Sequence, residues 1–167
     1  MTARADALPL RALVGTVVFV AVVPGTVVVG VPWWLTGWRL VDATLARVAG
    51  VALVVASTPL FLSFLSRFVV EGRGTPAPIA PPEHLVVGGP YRWTRNPGYI
   101  AVVGMLIGQA LLFGSAAVLA YAGLIALAFH AFVLFYEEPT LRRTFGAEYD
   151  AYRRRVPRWL PRPPTAA

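Results

Sequence analysis

The longest uncharged stretch of the chain, residues 97–136, constrains the fold more than any other feature. As one α-helix it would be roughly 60 Å long, about twice the ~30 Å hydrocarbon thickness of a bilayer. The stretch must therefore fold back on itself, and Gly114-Ser115 is the best place for the turn. The pattern predicts a helical hairpin inside a membrane, with arms at residues 98–113 and 116–136.

Two more apolar stretches precede this hairpin. Residues 12–31 carry no charge and run into Trp33 and Trp34, which suit an interfacial aromatic belt. Residues 48–66 are also uncharged. Charged residues make up 14% of the chain, whereas a soluble domain carries about 25%. The sequence therefore predicts an all-α, integral membrane bundle of four transmembrane helices, formed by residues 1–167 as a single domain.

The arginines predict the orientation of this bundle. The chain has fifteen arginines and no lysine, and only Arg39 and Arg47 fall on the side opposite the two termini. Because positively charged loops stay in the cytoplasm, both termini and segments 67–97 and 137–167 are expected there. This uneven distribution of arginines accounts for the net charge of +7, so nucleic-acid binding is not needed to explain it. The expected partner is the lipid bilayer. The lysine-free composition favours a bacterial inner membrane.

A basic amphipathic helix is predicted after the hairpin, with Pro139 in its first turn. Apolar residues recur there at spacings of three and four, which is typical of one helical face. A helix of this kind beside a span is expected to lie along the membrane surface. The face consists of Leu141, Phe145, Tyr149, Tyr152 and Val156.

Charged and aromatic side chains lie at both cytoplasmic ends of the hairpin. Residues 84–99 precede it, and Glu137-Glu138 follow it. Because the two arms return to the same membrane face, these groups are expected to be adjacent in space. They suit a ligand with charged and aromatic parts, although they could also be simple topology anchors. With no cysteine and two histidines, a zinc site is improbable.

Two segments resemble the isoprenylcysteine carboxyl methyltransferase and phospholipid methyltransferase superfamily of small integral-membrane enzymes. They are LVVGGPYRWTRNPGYI and EEPTLRRTFGAEYDAYRRRVPRWLP, and they span about residues 85–161. The resemblance implies S-adenosyl-L-methionine as the methyl donor, bound on the cytoplasmic side. It also implies a lipophilic acceptor, a prenylcysteine-like carboxylate or a lipid headgroup. The alternatives are methylation of a small thiol or amine metabolite, or a non-catalytic membrane scaffold.

The resemblance also implies which residues bind the cofactor. The R-[HN]-P-x-Y motif matches Arg95, Asn96, Pro97 and Tyr99, the segment before it adds Tyr91 and Arg92, and the paired carboxylates match Glu137 and Glu138. His84, one position from a cofactor-contacting histidine of the eukaryotic prenylcysteine enzymes, is included too. So is Gly104, which either permits close helix packing or leaves room for a ligand. The tyrosines of the surface helix are interpreted as packing and lid residues.

Glu138 and His130 are the candidate catalytic bases, needed if the acceptor is an amine. For His130 the alternative, which its position in mid-hairpin favours, is a packed polar contact between helices. The prenylcysteine enzymes have arginines just before the glutamate pair, whereas this chain has no arginine at 130–136, which argues against a prenylcysteine acceptor. Adjacent helical positions point about 100° apart. One glutamate is therefore expected to face the cofactor and the other to meet Arg92, Arg95 or backbone amides.

Overall fold

Every regular element in the described part of the chain is helical. The computed structural model describes residue 18 and residues 21–70 and 84–163. The helices are α1 (Ala21–Thr36), α2 (Thr44–Val70), α3 (Pro97–Phe113), α4 (Ala116–Phe132) and α5 (Glu138–Arg155). A 3-10 turn (Gly89–Arg92) precedes α3, one π-helical turn (Thr26–Gly30) lies within α1, and another (Val133–Glu137) joins α4 to α5.

The apolar helices confirm the predicted all-α membrane fold. In the described ranges, two helical stretches, Thr44–Arg67 and Ala116–Arg155, are long and apolar enough to cross a membrane. The other two, α1 and α3, are shorter apolar helices. α2 packs along α3, and α3 packs antiparallel to α4. The chain is therefore a membrane protein built around the predicted hairpin.

The hairpin turns at the predicted position. Gly114 has a φ of +58°, a left-handed conformation that glycine adopts without steric cost, and it ends α3. Ser115 then caps α4, because its hydroxyl accepts a hydrogen bond from the Val118 amide at 3.2 Å. Two neighbouring residues thus stop one helix and start the next.

The helices before the hairpin extend beyond the predicted spans. α1 continues to Thr36, where Gly37 adopts a φ of +55°, and α2 extends from Thr44 to Val70 although residues 48–66 were predicted. The difference arises because a span is bounded by charged residues, whereas a helix continues through residues of good helical propensity such as Arg47. Residues 1–17, 19–20 and 71–83, which include the start of the first predicted span, lie outside the described residues.

Small residues let α2 and α3 approach closely. A Cβ atom built on Gly50 would lie 2.6 Å from the Gly108 carbonyl oxygen, so neither position admits a larger side chain without a shift. A Cβ on Gly104 would collide with the hydroxyl of Ser57 on α2. Gly104 and Gly108 therefore permit close helix packing, which is the first of the two alternatives for the glycines of α3.

The amphipathic helix is present as α5, but its apolar face contacts the protein itself. Tyr149, Tyr152 and Val156 are buried in a cluster with Leu85, so the bilayer does not cover this face. Gly146 interrupts the helix with φ +49° and ψ −121°, a conformation restricted to glycine. The sequence pattern did not predict this kink.

Candidate functional site

A small polar pocket lies where the beginning of α3 and the turn after α4 meet α5. We call it the polar pocket; its volume is about 50 Å³. Its charged and amide groups come from both sides of the hairpin, and aromatic rings of α5 close it. The lining residues are Leu85, Val86, Tyr91, Arg95, Asn96, Val133, Glu137, Glu138, Leu141, Phe145, Tyr149 and Tyr152.

Glu138 is the centre of an ion-pair cluster. Its carboxylate lies 3.0 Å from Arg95 Nη1 and accepts hydrogen bonds from Arg158 Nε and Nη2 at 2.6 and 3.0 Å. Burial acts to raise the pKa of Glu138, but the Arg158 hydrogen bonds and the charge of Arg95 outweigh it, so this pKa is lowered. The same contact with Glu138 raises the pKa of Arg158.

Glu137 has a different partner. The hydroxyl of Tyr99 donates a hydrogen bond of 2.8 Å to its carboxylate, which joins the beginning of α3 to the π-helical turn after α4. The ion pairs of the described residues do not include Glu137. The expected contact between one glutamate and Arg95 is thus made by Glu138. The contact of Glu137 with the cofactor stays a prediction.

Residues 156–162, which we call the C-terminal strap, lie against the segment before α3. The Arg95 amide donates to the Pro157 carbonyl at 2.9 Å, and the Asn96 side-chain amide donates to the Arg158 carbonyl at 3.0 Å. The Thr94 hydroxyl also donates to the Arg158 carbonyl at 3.0 Å. These contacts hold the strap beside the polar pocket and place Arg158 on Glu138.

An apolar cavity of about 440 Å³ lies between α3 and α4, and we call it the apolar cleft. Two side-chain contacts lie in its lining. The Trp159 indole N–H donates a hydrogen bond to His130 Nδ1 at 3.0 Å, and the Tyr99 and Phe129 rings contact each other with their centroids 4.5 Å apart. Tyr99 lines this cleft while its hydrogen-bond partner Glu137 lines the polar pocket. The remaining lining residues are Ile100, Val103, Gly104, Ile107 and Ala126.

The other predicted site residues lie outside the polar pocket. His84 and Arg92 are exposed, and neither lines the polar pocket or the apolar cleft. Pro97 is buried in the first turn of α3, where its ring starts the helix. Gly104 and His130 line the apolar cleft.

Sequence reasoning missed three residues that shape the two cavities. Tyr149 was interpreted as packing, yet its hydroxyl accepts a hydrogen bond from Arg95 Nη1 at 3.1 Å. The sequence interpretation includes Arg158 only among the arginines that predict the orientation, and Trp159 only within the second family segment. The signal that could have found them is their position between Pro157 and Pro161, because a segment bounded by prolines cannot continue the helix.

Comparison with known proteins identifies the family. The sequence profile of the phospholipid methyltransferases matches residues 45–148. Neither the curated proteins nor the solved structures gave a significant match. The matched range covers α2, the hairpin and most of α5, and it includes the residues of the polar pocket from Tyr91 to Glu138. The chain therefore belongs to the phospholipid methyltransferase family, within the isoprenylcysteine carboxyl methyltransferase-like superfamily.

Proposed function

We propose that the protein transfers a methyl group from S-adenosylmethionine to a lipophilic acceptor at the cytoplasmic face of the membrane. Its family supports methyltransferase activity on a lipid-like substrate. The observation that carries the proposal is the 2.8 Å contact between Tyr99 and Glu137, because one partner lines the apolar cleft and the other lines the polar pocket. A charged donor and an apolar acceptor can therefore approach each other across a single contact.

The polar pocket fits the methyl donor in its chemistry. S-adenosylmethionine has an ammonium and ribose hydroxyls, which suit Glu137, and a carboxylate, which suits an arginine. Arg95 Nε is buried and has no hydrogen-bond partner within the described residues, so this donor is available to a ligand. The aromatic rings of Tyr91 and Phe145 suit the adenine. A volume of about 50 Å³ is far below the ~300–1,000 Å³ of drug-sized sites, so α5 must move outward on binding.

When bound, the sulfonium supplies an activated methyl group, and the chain mainly has to align it with the acceptor. The aromatic rings of Tyr99 and Phe129 line the cleft on the side of the acceptor. Glu137 is better suited than Glu138 to hold a cation or accept a proton, because two arginines already stabilise the charged form of Glu138. His130 can act as a base only after its contact with Trp159 breaks, since Nδ1 already accepts a hydrogen bond.

The apolar cleft favours a lipophilic acceptor over a small polar metabolite. Six of its nine lining residues have no hydrogen-bonding side chain. A thiol or amine metabolite would leave most of this surface in contact with water or lipid, whereas an acyl or prenyl chain would cover it. The cleft lies between two helices of the membrane hairpin, so such a chain can reach it from the bilayer.

The first test measures methyl transfer in membranes that contain the overproduced protein. Labelled S-adenosylmethionine should transfer its label to an extractable lipid, and calorimetry on the purified protein should show saturable donor binding. Arg95→Gln should weaken donor binding about ten-fold or more, because a hydrogen bond to a charged group contributes roughly 1.5–3 kcal/mol. Arg154→Gln is the matched control, since Arg154 is exposed and lines neither cavity. An absence of saturable donor binding in the parent would instead support a scaffold protein.

A further inference from the structure

The C-terminal strap places two consecutive side chains at two different cavities. Arg158 contacts Glu138 at the polar pocket, and Trp159 contacts His130 at the apolar cleft. The Thr94 hydroxyl lies within hydrogen-bonding distance of the Trp159 carbonyl oxygen (3.2 Å), which fixes the backbone at this point. Trp159 is therefore held in place from outside the cleft.

The contact with Trp159 determines which nitrogen of His130 is available. An indole N–H can only donate, so His130 Nδ1 must be the acceptor of this 3.0 Å hydrogen bond. In a neutral imidazole, the other nitrogen then carries the proton. His130 consequently presents Nε2–H, a hydrogen-bond donor, to a ligand.

This N–H is the one uncommitted hydrogen-bond donor among the described side chains that line the apolar cleft. Three lining side chains can form hydrogen bonds. Tyr99 donates to Glu137 and Trp159 donates to His130, so both of their donor hydrogens are already used. A ligand in the cleft would therefore meet an apolar wall and a single donor. His130 is exposed where it lines the cleft, so an acceptor atom in the headgroup of a ligand can reach this donor while the apolar part of the ligand covers the cleft.

We propose that Trp159 is a positioning residue which keeps His130 as a donor, and that His130 selects lipid acceptors carrying an anionic or carbonyl oxygen in the headgroup region. The inference rests on the proposed function and narrows its substrate class. It assigns the hydrocarbon chain of the acceptor to the cleft beside Val103 and Ile107, and the oxygen to His130 Nε2. A long-chain amine with no such oxygen would occupy the same cleft with one hydrogen bond fewer.

The test compares two probes that share a hydrocarbon chain and an amine, hexadecylphosphoethanolamine and hexadecylamine. Their dissociation constants are measured in maltoside micelles by native mass spectrometry, with no methyl donor present. The preference of each variant for the phosphate-bearing probe is then expressed relative to the parent. His130→Phe should lower this preference about ten- to a hundred-fold, whereas His130→Gln, which keeps an N–H donor, should retain most of it.

Trp159→Phe keeps an aromatic ring but releases His130, so it should lower the same preference by about two- to ten-fold. Trp93→Phe is the matched control, because Trp93 lies in the neighbouring segment and lines neither cavity. The inference is overturned if His130→Phe keeps the parental preference, or if Trp159→Phe behaves like Trp93→Phe. Should His130→Phe fail to fold, the two tryptophan variants decide the question. Donor binding is titrated separately, so a failure of the proposed function is distinguishable from a failure of this inference.

Discussion

Replacing each glutamate of the adjacent pair by glutamine should separate stability from donor binding. Glu138 is 12% exposed and contacts Arg95, which is 11% exposed, and Arg158, which is 32% exposed. Breaking a buried ion pair costs about 3–5 kcal/mol. Because Arg158 can regain water, we expect Glu138→Gln to lower the free energy of unfolding by about 2–4 kcal/mol. The C-terminal strap should loosen with it.

Glu137→Gln should have the opposite profile. A glutamine oxygen can still accept the hydrogen bond from Tyr99, so the free energy of unfolding should fall by about 1 kcal/mol or less. The negative charge that would hold the donor's ammonium or ribose is lost, and this should weaken S-adenosylmethionine binding about ten- to a hundred-fold.

The assay measures both quantities on the same detergent-purified samples. Unfolding is followed by circular dichroism in increasing denaturant, and donor affinity by isothermal titration calorimetry. Glu148→Gln serves as the control, because this glutamate of α5 is exposed and lines neither cavity. If both pair variants bind the donor as tightly as the parent, the assignment of the polar pocket is wrong. Equal losses of stability would refute the assignment of the ion-pair cluster to Glu138 alone.

Three further predictions concern the kink, acid and orientation. Gly146→Ala should lower the free energy of unfolding by about 1–3 kcal/mol. A Cβ at this position meets no atom within 4 Å, so the whole loss comes from backbone strain. Gly123→Ala within α4 is the control and should not destabilise the protein, and denaturant unfolding measures both variants. Because folding lowers the pKa of Glu138, this group stabilises the folded state at pH values above its unfolded pKa of about 4.3. That stabilisation is lost as the pH falls through the folded-state pKa. The acid unfolding curve of Glu138→Gln should therefore lack the loss of stability that the parent shows in this range. An impermeant thiol reagent on intact cells should label a cysteine at Thr36 but not one at Thr75, which lies outside the described residues; the reverse pattern would contradict cytoplasmic termini.

Several features of this protein follow from the order of its residues. An uncharged stretch twice as long as a bilayer is thick must turn, and Gly114-Ser115 offers the residues that end one helix and cap another. The apolar periodicity of α5 likewise reflects local geometry, and Pro139 lies in its first turn as predicted. The adjacency of Arg95 to the glutamate pair follows from the hairpin alone, because both ends of a hairpin lie on one side.

The tertiary structure decided which partner each polar group receives. Nothing in the sequence distinguishes Glu137 from Glu138, and their roles separate only because the helix turns one towards Tyr99 and the other towards Arg158. The strap's position is equally non-local, since it depends on hydrogen bonds to residues about sixty positions earlier in the chain. Periodicity reports which side of a helix is apolar but not what covers it. The face of α5 therefore packs on Leu85 within the protein, where the pattern alone predicted a lipid surface.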